Sequence, residues 1–423
     1  MKTLVLYVFH LYNARVKHFI QNVTFKDNNI DFLIICNNMT EDIEYPLNAK
    51  LIRRENTGLD FGGWSQGLLK DNLYNQYDAF IFLNSSIMGP YLPENYTGTW
   101  VDRLLYGLEG DVKLFGPTIN SCFPDLKRCH IQSYAFCMHR PALELLINKE
   151  IFSLTHIPKN YLDAIRNFES PMSRVILDNG WNIGSFMNHY KDVDFTFKNK
   201  NLNVEFLGSV MEPDKFFGNS LDPREVMFIK GNRYPPGYTF KYNNITNIFQ
   251  KYSSVDNSKG IDKIVTHSYG EIYNKIFKEL YPTTKSVLSI GVGCGLDLRS
   301  YYEYFTRALI YGVNINGTVH ELISKSPRIK LVTPDDLKTL QHDLIIEDAS
   351  HKPEDQIQHF KNYGKSVKSN GYYIIEDVNQ NCFDLVREET LKIAQDYGFT
   401  QSVYDLRKIK NRFDDILLVF KKL

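Results

Sequence analysis

Short, unbroken apolar runs separated by amphipathic stretches recur along most of the chain. In the first half, residues 4–9 read as a strand, 14–23 as a helix, and 31–37 (DFLIICN), 79–83 (AFIFL) and 113–115 as further strands. Strands that are apolar throughout, rather than at alternate positions, are buried on both faces. The pattern therefore predicts a sheet covered by helices on either side. The chain turns at residues 233–237 (RYPPG), and the polar stretch 241–259, with few apolar anchors, reads as a linker. Beyond it the alternation restarts. Residues 269–280 are helical in pattern, and 286–290, 309–313, 344–346 and 372–375 are strands, each followed by a loop and a helical period. The tail, 398–423, reads as a closing antiparallel pair with 416–420 as its last strand. The expectation is an α/β protein of two consecutive domains, 1–240 and 260–423, joined by 241–259.

A length of 423 residues with 43% hydrophobic content is enough for two separate cores. Lys+Arg and Asp+Glu both number 49. With no net charge there is no global basic field to gather nucleic acid or anionic membrane, so a phosphate-bearing ligand must be held by a local pocket. That favours small molecules as ligands. The apolar start, residues 1–9, is too short for a membrane span and lacks a signal-peptide pattern, so it is expected to be a buried strand. The six cysteines contain no CxxC pair, and reduced thiols in a cytoplasmic protein are the expectation.

Two segments of the second half carry chemistry. Residues 286–295 (SVLSIGVGCG) run from an apolar strand into Gly291, Gly293 and Gly295, a turn that lets backbone approach a nucleotide closely. A dinucleotide fingerprint would place another glycine at Leu296, so NAD is disfavoured and S-adenosylmethionine favoured. Asn314, at the end of the next strand, stands where ribose hydroxyls are bound. The strands 343–351 (DLIIEDASH) and 372–377 (YYIIED) both end in carboxylates, on the edge where open α/β sheets bind ligands. Asp348, Glu376 and Asp377 there would repel one another without a hard divalent ion such as magnesium. His351, three residues past Asp348, is the expected general base for a metal-bound hydroxyl.

These motifs, with 260–273 (GIDKIVTHSYGEIY) ahead of them, occur in an order similar to that of macrocin- and mycinamicin-type sugar O-methyltransferases. The resemblance covers residue 260 to the C-terminus. It implies a class I, Rossmann-like fold, a magnesium ion at Asp348, Glu376 and Asp377, and a deoxysugar hydroxyl as acceptor. It also implies cofactor contacts from Asp262, Lys263, His267 and Tyr269. Glu347 and Ala349 depart from the family's DDGSH, and Asn314 replaces its ribose carboxylate.

In the first half, residues 53–64 (RRENTGLDFGGW) resemble a glycine-rich loop cradling a nucleotide diphosphate-sugar, with Arg53 toward phosphate and Asn56, Gly58 and Asp60 toward sugar or ribose. The strand at 79–83 ends in Asn84–Ser85–Ser86, with no carboxylate where A-type glycosyltransferases carry Asp-X-Asp. Two options stand: transfer without a metal, or neutralisation of the diphosphate by cations such as Arg53 or Lys230. NTGLDFGGW, FLNSSIMGPYLP, GPTIN, HIQSYAF, ESPMS and FIKGNR together resemble rhamnan-synthesis-type glycosyltransferases over residues 1–235. That resemblance implies a GT-A-like domain moving a sugar, often L-rhamnose, from a UDP- or GDP-linked donor to a glycan. Glu169 then takes the place of a general base, or of a carboxylate at a helix N-terminus. The pairing of the two domain types is similar to the multidomain rhamnosyltransferase/methyltransferase glycan-synthesis proteins of chloroviruses. The alternative is a small-molecule O-methyltransferase whose first half only binds glycan.

Overall fold

The computed structural model describes the chain apart from residues 47–48, 94–95, 123–124, 199–203, 218–219, 235–237, 239–243, 254–260, 282, 314–318, 325 and 338. It divides into two compact units, Met1–Tyr242 and Asn243–Leu423.

In the first unit the strands are β1 (Thr3–Phe9), β2 (Ile30–Cys36), β3 (Ala49–Arg53), β4 (Ala79–Asn84), β5 (Ile87–Met88), β6 (Val112–Gly116), β7 (Ile119–Cys122), β8 (Asp125–Ile131), β9 (Ala135–His139), β10 (Asn182–Ser185) and β11 (Ile229–Lys230). Seven of them form one sheet in the order β10-β6-β9-β4-β1-β2-β3, and the short pairs β11-β5 and β7-β8 stand apart. β9 runs antiparallel to both its neighbours, and the remaining pairings of the large sheet are parallel. All seven residues of β1 are buried, as expected for a central strand with helices on both faces.

The segment LDFGGWSQGLL is not a loop. It forms the helix Leu59–Leu69, entered through Gly58 at φ 74°. A Cβ at Gly63 would lie 2.7 Å from Val8 Cγ2, and one at Gly67 would lie 2.9 Å from Leu33 Cδ2. These glycines bring the helix close down on β1 and β2. The expected glycine-rich phosphate cradle is therefore corrected: beyond Gly58, these glycines serve helix–sheet packing.

The second unit holds β12 (Ser286–Ile290), β13 (Leu309–Val313), β14 (Ile329–Leu331), β15 (His342–Glu347), β16 (Val367–Ile375), β17 (Phe399–Asp405) and β18 (Ile416–Lys422). Their order is β14-β13-β12-β15-β16-β18-β17. The first five strands are parallel, and β18 is antiparallel to both β16 and β17, so the tail closes the sheet as expected. The expected linker is corrected in part. Ile245–Ser253 is a helix with Ile245, Ile248, Phe249 and Tyr252 buried. Its Lys251 and Tyr252 bond Glu303 of the same unit. The apolar residues there recur at i, i+3, i+4 and i+7, a helical stripe that the polar composition had masked. No helix among the described residues is long and apolar enough to cross a membrane.

Candidate functional site

In the second unit, three neighbouring strand ends build one cluster. Gly291 N–H donates to Val313 O, Asp348 N–H to Ile290 O, and Glu376 N–H to Glu347 O, at 2.9–3.0 Å. The turn after β12 therefore lies directly beside the acidic end of β15. Gly291 has φ 87°, and a Cβ on it would fall 2.0 Å from the Asp348 carbonyl oxygen. Gly293, at φ 52°, faces open space, with nothing within 4 Å of a Cβ, and Gly295 caps the helix Leu296–Tyr304 at φ 87°. Such a turn, open above its middle glycine at a helix N-terminus, fits the adenosyl-bearing ligand expected there. Asn314 lies outside the described residues.

The two glycines should respond differently to substitution. Gly291→Ala sets its Cβ against the main chain of Asp348 and should lower the unfolding midpoint of this unit. Gly293→Ala meets no neighbour and should lower that midpoint less, by the cost of a left-handed alanine alone, while weakening S-adenosylmethionine binding by roughly tenfold, about 1.4 kcal/mol. Calorimetric titration and thermal unfolding of both variants check the pair.

Asp348, His351 and Asp377 offer ligand atoms within 4.8 Å of one another. His351 Nε2 lies 3.1 Å from Asp348 Oδ1 and 3.5 Å from Asp377 Oδ2. His351 and Asp377 both hold positive φ, 57° and 54°, a costly conformation for such residues and one found where tertiary contacts over-determine a site. Burial and the charge of Asp348 push the Asp377 carboxyl up to about 6. The hydrogen bond to Asp348, opposed by burial and helped by the charge of Asp377, pushes the His351 imidazole up to about 9. Two oxygen donors under mutual repulsion fit a hard divalent cation, whose charge would relieve both shifts.

The structure corrects four assignments here. Glu376 is 1% exposed and does not join that group of donors. Its carboxylate accepts from Lys263 Nζ at 2.5 Å and from the Tyr273 hydroxyl. Lys263, expected at the cofactor, is fully buried and also bonds Asp348 Oδ2 at 2.8 Å, with Asp297 3.7 Å away. An ammonium among three carboxylates offsets a charge density that burial alone would not tolerate. Tyr269 donates to Asp377 Oδ1 at 2.5 Å, and His267, 2% exposed, lies between Asp377 and Asp415. These side chains hold the acidic residues from behind. Asp262 is half exposed, 4.0 Å from His267.

Asp297 escaped the sequence reading, although an acid in the first turn of the helix after a glycine turn was a signal for it. Burial, opposed by Lys263, pushes its carboxyl up to about 7. Lys263→Met should lower the stability of this unit by about 3 kcal/mol or more, because Glu376 loses its buried counter-charge. Denaturant titration at neutral pH measures it, and an unchanged midpoint would remove the counter-ion role.

In the first unit the site forms at the carboxyl end of β4. Asn84 Nδ2 donates to Asp60 Oδ2 at 2.9 Å, and the charges of Lys230 and Glu169 both act on Asp60. Burial pushes the Asp60 carboxyl up to about 6. Glu169 accepts from Ser133 N at 2.8 Å and Ser133 Oγ at 2.5 Å, with His130 Nε2 3.6 Å away. Burial would raise its pKa, but His130, Lys230 and Ser133 bring it down to about 2. Glu169 is thus a fixed anion; it stands at the N-terminus of the helix Ser170–Asp178 but its side chain makes no capping bond there. A cavity of about 170 Å³ opens here, lined by Asn120, His130, Gln132, Glu169, Lys230 and Arg233 among others.

Other assignments move away from this cavity. Arg53, at the end of the edge strand β3, donates to the Glu41 carbonyl, and Asn56 accepts from Asn37. Arg54, one residue on, is the buried one, bonding Asn37, Gln66 and Thr57. Arg54 lies just past the end of β3, where its N–H still donates to Cys36 O. Ser85 sits in the turn after β4, in which Ser86 bonds Asn84. Ser133 and Gln132 were missed. Both lie inside HIQSYAF, where only His130 had drawn attention.

Residues 33–207 match the family model Rhamnan synthesis protein F. The 8-demethyl-8-alpha-L-rhamnosyl tetracenomycin-C 2'-O-methyltransferase of Streptomyces olivaceus is 29% identical over 136 residues, covering 28% of this chain and 35% of that protein. The chain thus spans about a third of the length of this curated relative. Among solved structures, the MycE methyltransferase of the mycinamycin pathway, in complex with Mg, SAH and mycinamycin VI, aligns with 47% of this chain and 57% of its own at 20% identity and a TM-score of 0.32. The SAH-bound methyltransferase PaMTH1 of Podospora anserina aligns with 42% and 87% at 15% identity and 0.31. Superpositions this loose fix no residue correspondence. The chain therefore combines likeness to a rhamnan-synthesis protein with likeness to a sugar-directed O-methyltransferase.

Proposed function

We propose that the chain is a bifunctional glycan-building enzyme. Its first unit, a GT-A-like glycosyltransferase, moves L-rhamnose from a nucleotide donor to a glycan, and its second unit O-methylates a sugar hydroxyl with S-adenosylmethionine. The observation that carries the second activity is the junction of an open glycine turn with Asp348, Asp377 and His351 on adjacent strand ends.

In methyl transfer, Asp348 and Asp377 would hold a divalent ion, with Glu376 aligned behind them by Lys263 and Tyr273. Such an ion, when bound, lowers the pKa of the acceptor hydroxyl and compensates the two carboxylates. His351 takes the hydroxyl proton at Nδ1, because Nε2 carries the proton it shares with Asp348. Asp348 and Asp377 orient the imidazole, and Tyr269 and His267 keep Asp377 in place. Gly293 leaves the space that the adenosyl group needs. In sugar transfer, Glu169 receives the acceptor proton beside His130, and Lys230 and Arg233 balance the diphosphate. Asn84 and Asp60 bind donor hydroxyls.

The test combines the full chain with a glycan acceptor, nucleotide-linked rhamnose, S-adenosylmethionine and magnesium, followed by mass spectrometry. The expected products carry one added deoxyhexose, one added methyl group, or both. Methylation without nucleotide release from any donor would leave the first unit a glycan-binding module.

A further inference from the structure

The carboxyl edge of the second sheet carries a cavity that neither the cofactor turn nor the acidic cluster uses. Across that edge, the glycine turn sits on β12, the carboxylates on β15 and β16, and next come β18 and β17. Because β18 runs antiparallel to both neighbours, the connection from β17 to β18, residues 406–415, lies on the same edge as Asp377. A cavity of about 440 Å³ opens there, lined by Gln380, Asp405, Arg407, Lys408, Asn411, Arg412 and Phe413. It is close to the reacting group. Gln380 stands three residues from Asp377, a reach of at most about 10 Å. Its N–H donates to Phe413 O at 3.0 Å, and the charge of Asp377 acts on Arg412.

The loop is also tied to the site by built contacts. Lys410 Nζ donates to the carbonyls of Ile264, Val265 and His267. Tyr269, which holds Asp377, also donates to Asp414 O at 3.3 Å, and Ser268 N–H donates to Asp415 Oδ1 at 3.0 Å. The wall is therefore fixed relative to the base.

Its chemistry is specific. The lining brings Arg407, Lys408 and Arg412 together with Asp405 as its one acid. Asp405 and Asp414 grip the two guanidinium groups from one side, Arg407 at 2.6 and 2.8 Å and Arg412 at 2.9 and 3.0 Å. That presets their planes and leaves an excess of positive charge. Phe413, 52% exposed, adds an aromatic face, and Asn411 and Gln380 add amides. Planar cationic donors beside an exposed ring suit a sugar that bears an oxyanion.

We propose that this cavity is an acceptor subsite, and that the methyltransferase prefers a saccharide whose unit next to the methylated sugar carries a phosphate or carboxylate. The inference rests on the methyltransferase reading above. It adds the charge of the acceptor, which that reading leaves unstated.

The experiment compares three acceptors on the full chain: a neutral α-L-rhamnosyl-glucoside, the matching α-L-rhamnosyl-glucuronide, and the matching α-L-rhamnosyl-glucoside 6-phosphate. Each is assayed for methyl transfer and, by calorimetry, for binding in the presence of S-adenosylhomocysteine. An anionic acceptor should exceed the neutral one in kcat/KM by about tenfold or more, and high salt should erode the gap. Which anion leads separates carboxylate from phosphate. Lys408→Ala and Arg412→Ala should each reduce the anionic-to-neutral ratio by roughly fivefold to tenfold. Equal kcat/KM for all three, or a preference untouched by both variants, overturns the proposal. Charge-dependent binding that needs Lys408 but yields no methyl transfer upholds the subsite and overturns the methyltransferase reading. Absence of both binding and turnover overturns both. Binding to anionic vesicles that Lys408→Ala abolishes, with no preference among soluble acceptors, assigns the loop to membranes and overturns the subsite.

Discussion

Asp348→Asn should lower methyl transfer by about a thousandfold or more while leaving S-adenosylmethionine affinity within about threefold of wild type. The substitution keeps size and still offers Lys263 an oxygen, so folding is spared. It removes one of the two anionic donors and the partner that orients His351, whose Nε2 stands 3.1 Å from Asp348 Oδ1. Cofactor affinity should persist because the glycine turn meets Asp348 through its main chain, which the change does not alter. Methyl incorporation by mass spectrometry and cofactor titration by calorimetry read the two quantities separately. Full activity in the variant, persisting after chelation, would end the account of a metal-assisted transfer.

Glu169→Gln should reduce sugar transfer by about a hundredfold to ten-thousandfold, the range for loss of a positioned proton acceptor. Gln retains an oxygen for the two bonds from Ser133, so the cavity keeps its shape and only the charge is lost. Nucleotide release from a rhamnose donor measures this, and methyl transfer in the same preparation should be unchanged. The charge matters because Glu169, lowered to about 2, is ionised throughout the physiological range. Asp60, raised to about 6, is the more readily protonated of the two carboxylates. Wild-type turnover in the variant would transfer the proton-accepting role elsewhere, with Asp60 the next to examine.

Periodicity alone made most strands of the second unit legible. β12 and β13 fall on the expected residues, and the closing pair appears as anticipated. Unbroken apolar runs have one stable use in an α/β chain, which is a strand covered on both faces. The same logic missed β5, β10 and β11, which are too short or too polar to show a period, and it left β3, β7, β8, β9 and β14 unread as well. It also read 241–259 as linker, because polar composition outweighed the helical spacing of Ile245, Ile248, Phe249 and Tyr252.

The acidic strand ends, the glycine turn and the histidine were visible in the sequence, because ligand chemistry there demands particular residue types next to recognisable elements. What the order of residues left open was where each charge points. Lys263 and Glu376 are 113 positions apart, yet the fold joins them in the interior, so a residue expected at the cofactor becomes a buried counter-ion. Arg53 and Arg54 are adjacent in sequence and alike in chemistry, and only the tertiary partners of Arg54 (Asn37, Thr57 and Gln66) decide which is buried. The chain's sequence by itself determined two α/β units and the residue types at their sheet edges, since burial patterns and strand ends are local properties. Tertiary structure decided which carboxylates converge, which lean on Lys263, and which loop lies along their edge, since those depend on side chains brought together from distant segments.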